Sequence, residues 1–313
     1  MSNYFEIIRA GINTTFQDNG RKKLFHIGIP LSGAMDQRNF RLANSIVGNK
    51  VNNPVIEFAY QGPLIRFRGD QINFVITGDV IFKIIKGKKE IQGNCYESYS
   101  IKDGDEINII STNKSVYGYL AINGEFNLKL QWGSYSTNTK AIIGSNNGEK
   151  FKNQQKFEIK KINLNQIRKK IDYINTKIEK IRVIKGTNFN YFSNQSKKIF
   201  FEKEFTVSKL TDRMGMRLEG PKIENVVNTN IKSEGLIKGV IQVPADGNPI
   251  IMLSDHGTIG GYPKIGVVIS ADYDKLVQLS PGSKIKFQEI NLSDAETLFK
   301  LYEMETQNLI SQL

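Results

Sequence analysis

The sequence is poor in the residues that build disulfides and metal centres. Its 313 residues include one cysteine, Cys95, and two histidines, His26 and His256. One cysteine cannot form a disulfide within the chain or a thiolate cluster, and two histidines do not suffice for a multi-histidine metal site. We therefore predict no bound metal, and we interpret Cys95 as a small buried hydrophobic side chain rather than a nucleophile.

Long apolar runs are missing as well. No stretch of 18 apolar residues occurs, although a membrane-spanning helix needs about 20. The first ten residues, MSNYFEIIRA, do not lead from a basic region into an apolar core, as a signal peptide does. We therefore expect a cytoplasmic protein that does not bind a membrane.

The charge is unbalanced, with 43 Lys and Arg against 31 Asp and Glu, a net charge of +12. Such a balance can indicate nucleic-acid binding. However, the basic residues are concentrated in 160–182 and 197–198 rather than in one patch, and no helix-turn-helix, RNP-like or zinc-finger spacing accompanies them. We therefore expect no nucleic-acid partner and attribute the charge to a general use of lysine at the surface.

What the sequence does have is a series of short apolar runs closed by glycine-rich turns. Residues 5–10, 71–77, 80–85, 107–111 and 117–122 are of this kind. They favour a mainly β fold of barrels or sandwiches over a doubly wound sheet.

Helical patterns are fewer. The spacing predicts a helix over Ala34–Val47, with Ser32 as its N-cap and Asp36 in its first turn. A second helix is predicted over Ser293–Leu309, where Ser293 and Glu296 resemble a capping box.

Composition divides the chain into four parts. Residues 151–181 contain neither glycine nor proline and are rich in Lys, Asn, Gln and Ile. We interpret them as a connector, an extended strand followed by a short helix near Asn165–Tyr173. The prediction is an N-terminal β-barrel lobe (1–150), the connector (151–181), a C-terminal β-barrel lobe (182–292) and a C-terminal helix (293–313).

The densest group of candidate site residues lies between Gln242 and Lys264. Gly260 and Gly261 allow the main chain to approach a ligand closely or to adopt positive φ. Asp255, Tyr262 and Lys264 add an acceptor, an amphipathic ring and a cation. The alternative is a loop between two strands that needs glycine only for its turn.

Two N-terminal loops add further candidates. The first contains Gln17, Asp18 and Arg21, although a surface turn would be polar too. The second, Gly28–Asp36, leads into the first predicted helix, whose N-terminus can bind a carboxylate or phosphate. Asp36 would compete for that position.

Arg213 and Arg217 flank Gly215 at an even spacing, so in a strand they would share one face. Two guanidinium groups on one face would suit a carboxylate or phosphate. The alternative is that they form structural ion pairs with Asp212 and Glu219.

Two common catalytic motifs are absent. The sequence has no Gly-x-Ser-x-Gly elbow and no Gly-x-x-x-x-Gly-Lys-Ser/Thr loop. It also lacks a Met-Lys-Met segment of the biotinylation type. Any ATP or biotin would therefore be bound in another way or by a partner.

Taken in order, these segments resemble the biotin-dependent carboxyltransferase family that includes the 5-oxoprolinase C subunit, allophanate hydrolase subunit 2 and the antagonist of the Kip kinase inhibitor. The resemblance extends from Gly11 to about Phe287. It rests on Thr14-Thr15-x-Gln17-Asp18-x-Gly20-Arg21, Gly28-x-Pro30-x-Ser32-Gly33-Ala34-Met35-Asp36, Ala43-Asn44-x-x-Val47-Gly48-Asn49, Glu57-x-x-x-x-Gly62-Pro63, Gly133-Ser134-x-Ser136-Thr137, Asp212-Arg213-Met214-Gly215-x-Arg217-Leu218-Glu219-Gly220, Ser233-Glu234, Gly239-x-Ile241-Gln242-Val243-Pro244-x-Asp246-Gly247-x-Pro249-Ile250, Asp255-x-x-Thr258-x-Gly260-Gly261-Tyr262-Pro263 and Pro281-Gly282.

The resemblance implies two cyclophilin-like β-barrel lobes, a heteromeric complex with a homologous B subunit, a separate A subunit, and ATP at or near a subunit interface. The implied reaction is the ATP-dependent opening of 5-oxo-L-proline, a small anion, to L-glutamate. Asp255 would orient a substrate N–H and Lys264 would contact phosphate. The implied catalytic residues are Asp255, Lys264 and Arg213, and the implied substrate-binding residues are Gln17, Asp18, Arg21, Ser32, Gly33, Asp36, Arg217, Gln242, Gly260, Gly261 and Tyr262.

Other members of the family leave two alternatives open. One is the carboxyltransferase component of a biotin-dependent urea carboxylase and allophanate system, which would need biotin on a carrier elsewhere. The other is a regulatory protein that antagonises a kinase inhibitor and needs no ligand chemistry.

Overall fold

In a computed structural model of the chain, the structure describes residues 2–162, 169–173, 178, 180–227 and 229–313. Contacts between Cα atoms divide the chain into two compact units. Unit 1 comprises Met1–Arg21, Ser32–Asn175 and Thr306–Leu313, and unit 2 comprises Lys22–Leu31 and Thr176–Glu305. A short N-terminal segment is therefore grouped with the C-terminal strands. The domain limits given by composition stay a prediction.

Among its described residues, unit 1 contains two β-sheets and the helix α1 (Gln37–Ile46). The elements are β1 (Asn3–Arg9), β2 (Asn13–Gln17), α1 (Gln37–Ile46), β3 (Val55–Ala59), β4 (Leu64–Arg68), β5 (Gln71–Thr77), β6 (Val80–Lys86), β7 (Lys89–Gln92), β8 (Ser98–Lys102), β9 (Glu106–Thr112), β10 (Tyr117–Ile122), β11 (Gly124–Phe126) and β12 (Lys156–Ile162). The strand orders are β11-β12-β1-β4-β9-β6-β7 and β2-β3-β10-β5-β8.

The core of unit 1 is rich in phenylalanine. Strand β1 alternates, burying Phe5 and Ile7 while their neighbours stay partly exposed. Phe16 of β2 meets Phe151 with ring centroids 4.8 Å apart. Burial of each such side chain contributes about 1.5–3 kcal/mol relative to exposure. The candidate residues of unit 1 lie next to this core, at the end of β2 and at the start of α1.

Unit 2 is built on a closed barrel of seven strands, in the order β13-β20-β17-β18-β15-β14-β21. Its elements are β13 (Ile181–Lys185), α2 (Asn194–Glu202), β14 (Glu204–Val207), β15 (Gly215–Glu219), β16 (Glu234–Gly235), β17 (Val240–Gln242), β18 (Ile250–Met252), β19 (Ile259–Gly260), β20 (Lys264–Val268), α3 (Ser270–Leu276), β21 (Lys284–Glu289) and most of α4 (Leu292–Ser311). The residues of α4 from Thr306 onward are grouped with unit 1. Strands β16 and β19 pair outside the barrel.

Phe200 of α2 stacks on Phe287 of β21 with ring centroids 4.5 Å apart, so α2 packs against the barrel through an aromatic contact. Within the described ranges, no helix has both the length and the apolar composition needed to cross a bilayer. The predicted mainly β fold, with a few helices and a C-terminal helix, is confirmed.

Both predicted N-caps are wrong. Helix α1 starts at Gln37, and its N-cap is Asp36, whose carboxylate accepts a hydrogen bond from the Asn39 amide at 2.9 Å. Ser32 instead has a left-handed φ of 58°. At α4 the amide of Asp294 donates to the side chain of Asn291 at 2.9 Å, so the cap lies two residues before Ser293.

Part of the predicted connector helix, residues 165–168, lies outside the described residues. Residues 156–162 form β12, whereas 163–168 are not described. Residues 169–173 are not helical, and Lys170 forms an antiparallel bridge with Glu97.

Candidate functional site

The predicted site residues fall into two polar clusters, one within each unit. We call them the Asp18 cluster, around Asp18 and Arg21 in unit 1, and the Asp255 cluster, around Asp255 and Lys264 in unit 2.

Asp18 follows β2 and is 1% exposed. Its Oδ1 accepts hydrogen bonds from the Gly20 amide at 2.8 Å, Ser134 Oγ at 2.6 Å and Ser136 Oγ at 2.5 Å, and its Oδ2 accepts from the Tyr135 amide at 2.7 Å. A carboxylate that accepts four hydrogen bonds strongly stabilises the position of the segments that donate them. This geometry favours an anchoring role for Asp18, between its own loop and residues 134–136, over the predicted contact with substrate.

Arg21 is 2% exposed, and its Nη2 donates to the Ser136 carbonyl at 2.5 Å. Gly144 makes room for it, because a Cβ at Gly144 would overlap that carbonyl oxygen and lie 2.6 Å from Nη2. Gln17 is also buried. Its Nε2 donates to Thr137 O at 2.8 Å, and its Oε1 has no hydrogen-bond partner among the described residues.

Ser32 and Gly33 form a turn that packs on the Asp18 loop. Ser32 Oγ accepts from Asn138 Nδ2 at 3.1 Å. Gly33 has φ 90°, and a Cβ there would lie 3.0 Å from the Gly20 nitrogen. The next amide, of Ala34, donates to the Asp18 carbonyl at 2.9 Å.

The N-terminus of α1 does not offer the predicted anion site, because the Asp36 carboxylate occupies it. That carboxylate also accepts from Asn39 Nδ2 at 2.6 Å, and the Asp36 amide donates to the Tyr119 hydroxyl at 2.7 Å. Burial, together with the carboxylates of Glu57 and Asp36, raises the pKa of Tyr119 well above its ordinary value. Tyr119 is therefore a fixed hydrogen-bonding group in the core.

In the Asp255 cluster, Arg213 and Asp255 form a bidentate ion pair. Arg213 Nε donates to Asp255 Oδ2 at 2.8 Å and Nη2 donates to Oδ1 at 3.1 Å. The two residues are 8% and 4% exposed. Because Arg213 holds both carboxylate oxygens, Asp255 is poorly placed to orient a substrate N–H, contrary to the role that the family resemblance implies.

The prediction that Arg213 and Arg217 share one strand face is wrong. Arg213 precedes β15 and is buried, whereas Arg217 lies within β15 and is exposed. Arg213 does form a structural ion pair, and Asp255 is a partner of it that the sequence patterns did not indicate. Asp212 accepts from the Met214 amide at 2.8 Å, and Glu219 accepts from Ser208 Oγ at 2.5 Å.

Lys264 already holds a carboxylate. Its side chain is 5% exposed, and its Nζ donates to Glu234 Oε2 at 2.7 Å. Asn188 assists, because its side chain accepts from the Lys264 amide at 3.0 Å. The hydrogen bond from Lys264 is the main cause that lowers the pKa of Glu234. Lys264 is therefore a cation suited to binding a small anion, and the Glu234 carboxylate occupies the position that such an anion would take.

The paired glycines serve close packing. A Cβ at Gly260 would lie 2.7 Å from Gln242 Nε2, and one at Gly261 would lie 3.1 Å from the Ile231 carbonyl. Gln242 Nε2 donates to the Tyr262 carbonyl at 3.1 Å, which ties this turn to the end of β17. The side chain of Tyr262 is 40% exposed. Together with Arg217, it is the predicted site residue of unit 2 most open to a ligand.

Sequence reasoning missed several members of these clusters. Glu57, Ser134, Ser136 and Glu234 belong to motifs that carry the family resemblance, so the signal was available. His256 adjoins Asp255 and is 1% exposed. Tyr119 and Asn188 lie in no motif, and their contacts arise only from the fold.

Comparison with known proteins agrees with this architecture. A sequence model of the family described as carboxyltransferase domain, subdomain A and B, matches residues 27–289. The chain is 32% identical over 300 residues to the 5-oxoprolinase C subunit of Haemophilus influenzae, covering 96% of this chain and 95% of that protein. It is 31% identical to the 5-oxoprolinase C subunit of Escherichia coli, covering 93% and 92%.

A solved structure is similar as well. The crystal structure of the Kluyveromyces lactis urea amidolyase superposes with a TM-score of 0.88 at 26% identity, covering 98% of this chain and 20% of that one. The chain thus spans about a fifth of the amidolyase. From its matched length and these relatives, the chain belongs to the carboxyltransferase family defined by subdomains A and B.

Proposed function

We propose that this chain is the C subunit of an ATP-dependent 5-oxoprolinase, which opens 5-oxo-L-proline to L-glutamate together with its A and B subunits. The observation that carries the proposal is the 32% identity to a protein named as the C subunit of 5-oxoprolinase, over 96% of this chain and 95% of that one. A name of this kind supports a complex of several chains.

The proposed chemistry requires activation of an unreactive amide. A lactam carbonyl is a weak electrophile, and phosphorylation of its oxygen converts that oxygen into a leaving group. In this scheme ATP is a substrate bound at or near the interface with the B subunit, while the A subunit completes the hydrolysis. The substrate carboxylate needs a cation or a set of amides in this chain or its partner.

Lys264 is the best candidate for binding the substrate carboxylate in unit 2. It is a buried cation, and the position in front of it accepts a carboxylate, since Glu234 occupies it at 2.7 Å. Arg217 is an exposed cation on β15 and suits a phosphate oxygen. The pair Arg213–Asp255 acts by holding the segment 253–257, because its groups are engaged with each other.

A second candidate function is the carboxyltransferase step of a biotin-dependent urea carboxylase. The TM-score of 0.88 to the Kluyveromyces lactis urea amidolyase favours it. In that case biotin would arrive on a carrier, and the exposed Tyr262 and the Lys264 region would be the surface that it meets.

The two functions are separated by substrate. The chain, coexpressed with its A and B subunits, is expected to release glutamate and ADP from 5-oxoproline with ATP, and not to consume ATP with urea, bicarbonate and a biotin carboxylase. Replacing Lys264 with Met should raise KM for 5-oxoproline at least tenfold, the effect of about 1.4 kcal/mol of lost binding.

The matched control for this variant is Lys284→Met, because Lys284 is an exposed barrel lysine whose side chain is 72% accessible. It should leave KM unchanged. Urea-dependent turnover without 5-oxoproline turnover would contradict the proposal in favour of the second candidate.

A further inference from the structure

The imidazole of His256 is buried, and only one of its two nitrogens has a hydrogen-bond partner among the described residues. Its Nδ1 lies 2.6 Å from the Gly257 carbonyl oxygen. A carbonyl can only accept a hydrogen bond, so Nδ1 carries the proton. Nε2 is then the nitrogen with the free electron pair, and it has no hydrogen-bond partner among the described residues.

The surroundings of His256 favour the neutral form. Burial is the main cause that lowers the pKa of His256, and the Lys238 cation acts in the same direction. The Gly257 carbonyl and the Asp255 carboxylate act in the opposite direction, and that carboxylate is paired with Arg213. An imidazole that is neutral near pH 7 and has a free Nε2 is suited to accept a proton.

A buried hydrogen-bond acceptor without a partner lowers the stability of the folded chain. A buried polar atom without a partner costs about 1–3 kcal/mol, and such atoms are found where a function uses them or where a water is bound. Asp255, the neighbouring acceptor, is not idle, since Arg213 holds both of its oxygens. Of these two adjacent side chains, His256 is the one with a free acceptor.

A short segment of the chain covers His256. The Phe25 ring packs beside the imidazole, with centroids 6.0 Å apart and planes tilted by 31°. Phe25 belongs to Lys22–Leu31, which we call the strap and which is grouped with unit 2. Phe25 and Ile27 are 40% and 58% exposed despite their apolar side chains.

The strap is held by few hydrogen bonds. In the part of the chain that the structure describes, its bonds are internal: the amides of Ile27 and Ile29 donate to Leu24 O, and the Gly28 amide donates to Phe25 O. Gly28 has φ 80°, and a Cβ there would meet nothing within 4 Å. An exposed segment with only local hydrogen bonds opens at low free-energy cost.

We propose that His256 Nε2 is the proton acceptor of this site and that the strap Lys22–Leu31 covers it until ligand or partner binding moves the strap. The inference rests on the proposed function for the identity of the proton donor, which is the lactam N–H of 5-oxoproline. It makes His256 a catalytic residue that the sequence patterns did not indicate.

The proton transfer conserves atoms and electrons. The lactam oxygen forms a bond to the phosphoryl group of the nucleoside triphosphate, the bond from that phosphorus to the diphosphate oxygen breaks, and the diphosphate leaves with the electron pair. The lactam nitrogen gives its proton to Nε2, which leaves an imidazolium and an imidate that is uncharged at nitrogen and carries the anionic phosphate on its oxygen. Water then adds to the imidate carbon and the C–N bond breaks. The nitrogen takes the electron pair and the proton of the imidazolium, while the added hydroxyl releases its proton and becomes the carbonyl of an acyl phosphate. A second water cleaves the acyl phosphate to the side-chain carboxylate of glutamate and inorganic phosphate.

The tautomer can be tested on this chain alone, because it has only two histidines. In chain labelled with ¹⁵N-histidine, NMR spectra at pH 7 should show His256 protonated at Nδ1 and unprotonated at Nε2, with His26→Asn assigning the second signal. An imidazolium or an Nε2-protonated ring at His256 would overturn the proposal.

The cover can be tested by chemical modification. In a His26→Asn background His256 is the remaining histidine, and diethyl pyrocarbonate acylates only an accessible, unprotonated imidazole nitrogen. Modification should be slow in that background and several-fold faster after Phe25→Ala, with circular dichroism unchanged. Equal rates would overturn the covering role of the strap.

The catalytic role is tested in the complex with the A and B subunits. His256→Asn should lower kcat for 5-oxoproline by about 10²–10⁴-fold, the usual contribution of a general base, with a smaller change in KM. Imidazole in the buffer should restore part of the activity of His256→Gly. The control, Lys284→Met, changes an exposed lysine of β21 whose side chain is 72% accessible, and it should stay within twofold of the unsubstituted complex.

The outcomes separate the two proposals. If the unsubstituted complex turns over 5-oxoproline and His256→Asn does so equally well, the role of His256 is refuted and the proposed function stands. If the unsubstituted complex does not turn over 5-oxoproline, the proposed function and the lactam step are refuted, whereas the NMR and modification results still decide the free Nε2 and its cover.

Discussion

Replacing Asp18 is expected to destabilise unit 1 even though the resemblance assigns Asp18 to substrate. Its carboxylate accepts four hydrogen bonds at 2.5–2.8 Å, two of them from the amides of Gly20 and Tyr135. Asp18→Ala leaves both amides without an acceptor, at about 1–3 kcal/mol each. The two serine hydroxyls can rotate toward other acceptors. We therefore expect a loss of about 2–6 kcal/mol in the free energy of unfolding.

Asp18→Asn should cost less, because one side-chain oxygen remains to accept. Its Nδ2 group would face a donor, which leaves one hydrogen bond unmade at about 1–3 kcal/mol. The matched control is Asp70→Asn, since Asp70 is an exposed aspartate at a turn, and it should stay within about 0.5 kcal/mol of the parent. The expected order of stability is control, then Asn, then Ala.

The assay is urea unfolding followed by tryptophan fluorescence. Trp132 is the single tryptophan and lies in the turn closed by Gln131 and Ser134, the latter a donor to Asp18. The fluorescence therefore reports the loop that Asp18 holds. If Asp18→Ala unfolds within about 1 kcal/mol of the Asp70→Asn control, the anchoring role is refuted.

Three further results are expected. Asp255→Asn should lower the stability of unit 2 by about 3–5 kcal/mol, because it removes one charge of a buried bidentate ion pair. Hydrogen exchange at β15 should detect the loss, and unchanged exchange would contradict the ion pair's role. Gly144→Ala should destabilise unit 1, because the new Cβ overlaps a carbonyl and φ is 97°, and a thermal midpoint equal to that of the parent would refute the close packing. As pH falls below about 6.5, unit 2 should lose stability, because the pKa of His256 is lower in the folded chain than in the unfolded chain, which therefore binds the proton first. The loss should be smaller in His256→Asn. Identical pH profiles of stability for the parent and His256→Asn would contradict this prediction.

Strand β1 was predictable because mainly one of its faces is buried. In β1 the alternation of apolar and polar residues is read directly from the sequence, and Phe5 and Ile7 are indeed the buried pair. The N-caps of the helices were not predictable, because two polar residues near the start of each helix could serve as the cap. Asp36 is the N-cap instead of Ser32. The Ser32–Gly33 turn packs on the Asp18 loop with a positive φ at Ser32, which an N-cap residue does not have.

The candidate residues lie in the two polar clusters, but the sequence patterns did not indicate their hydrogen-bond and ion-pair partners. Arg213 and Asp255 are 42 positions apart, and Lys264 and Glu234 are 30 positions apart. Such pairings are set by strand order and register, which local patterns do not contain. For the same reason the sequence did not indicate the surroundings of His256, which contacts Phe25 of the strap, a residue far away in the sequence.

The most direct test of the account measures ADP and glutamate together in a mixture of this chain, the A and B subunits, ATP and 5-oxo-L-proline. We expect the two products to form in equal amounts, and only when this chain is present. Equal turnover by the A and B subunits without this chain, or no glutamate from the full mixture, would contradict the claim that this chain is a working part of a 5-oxoprolinase.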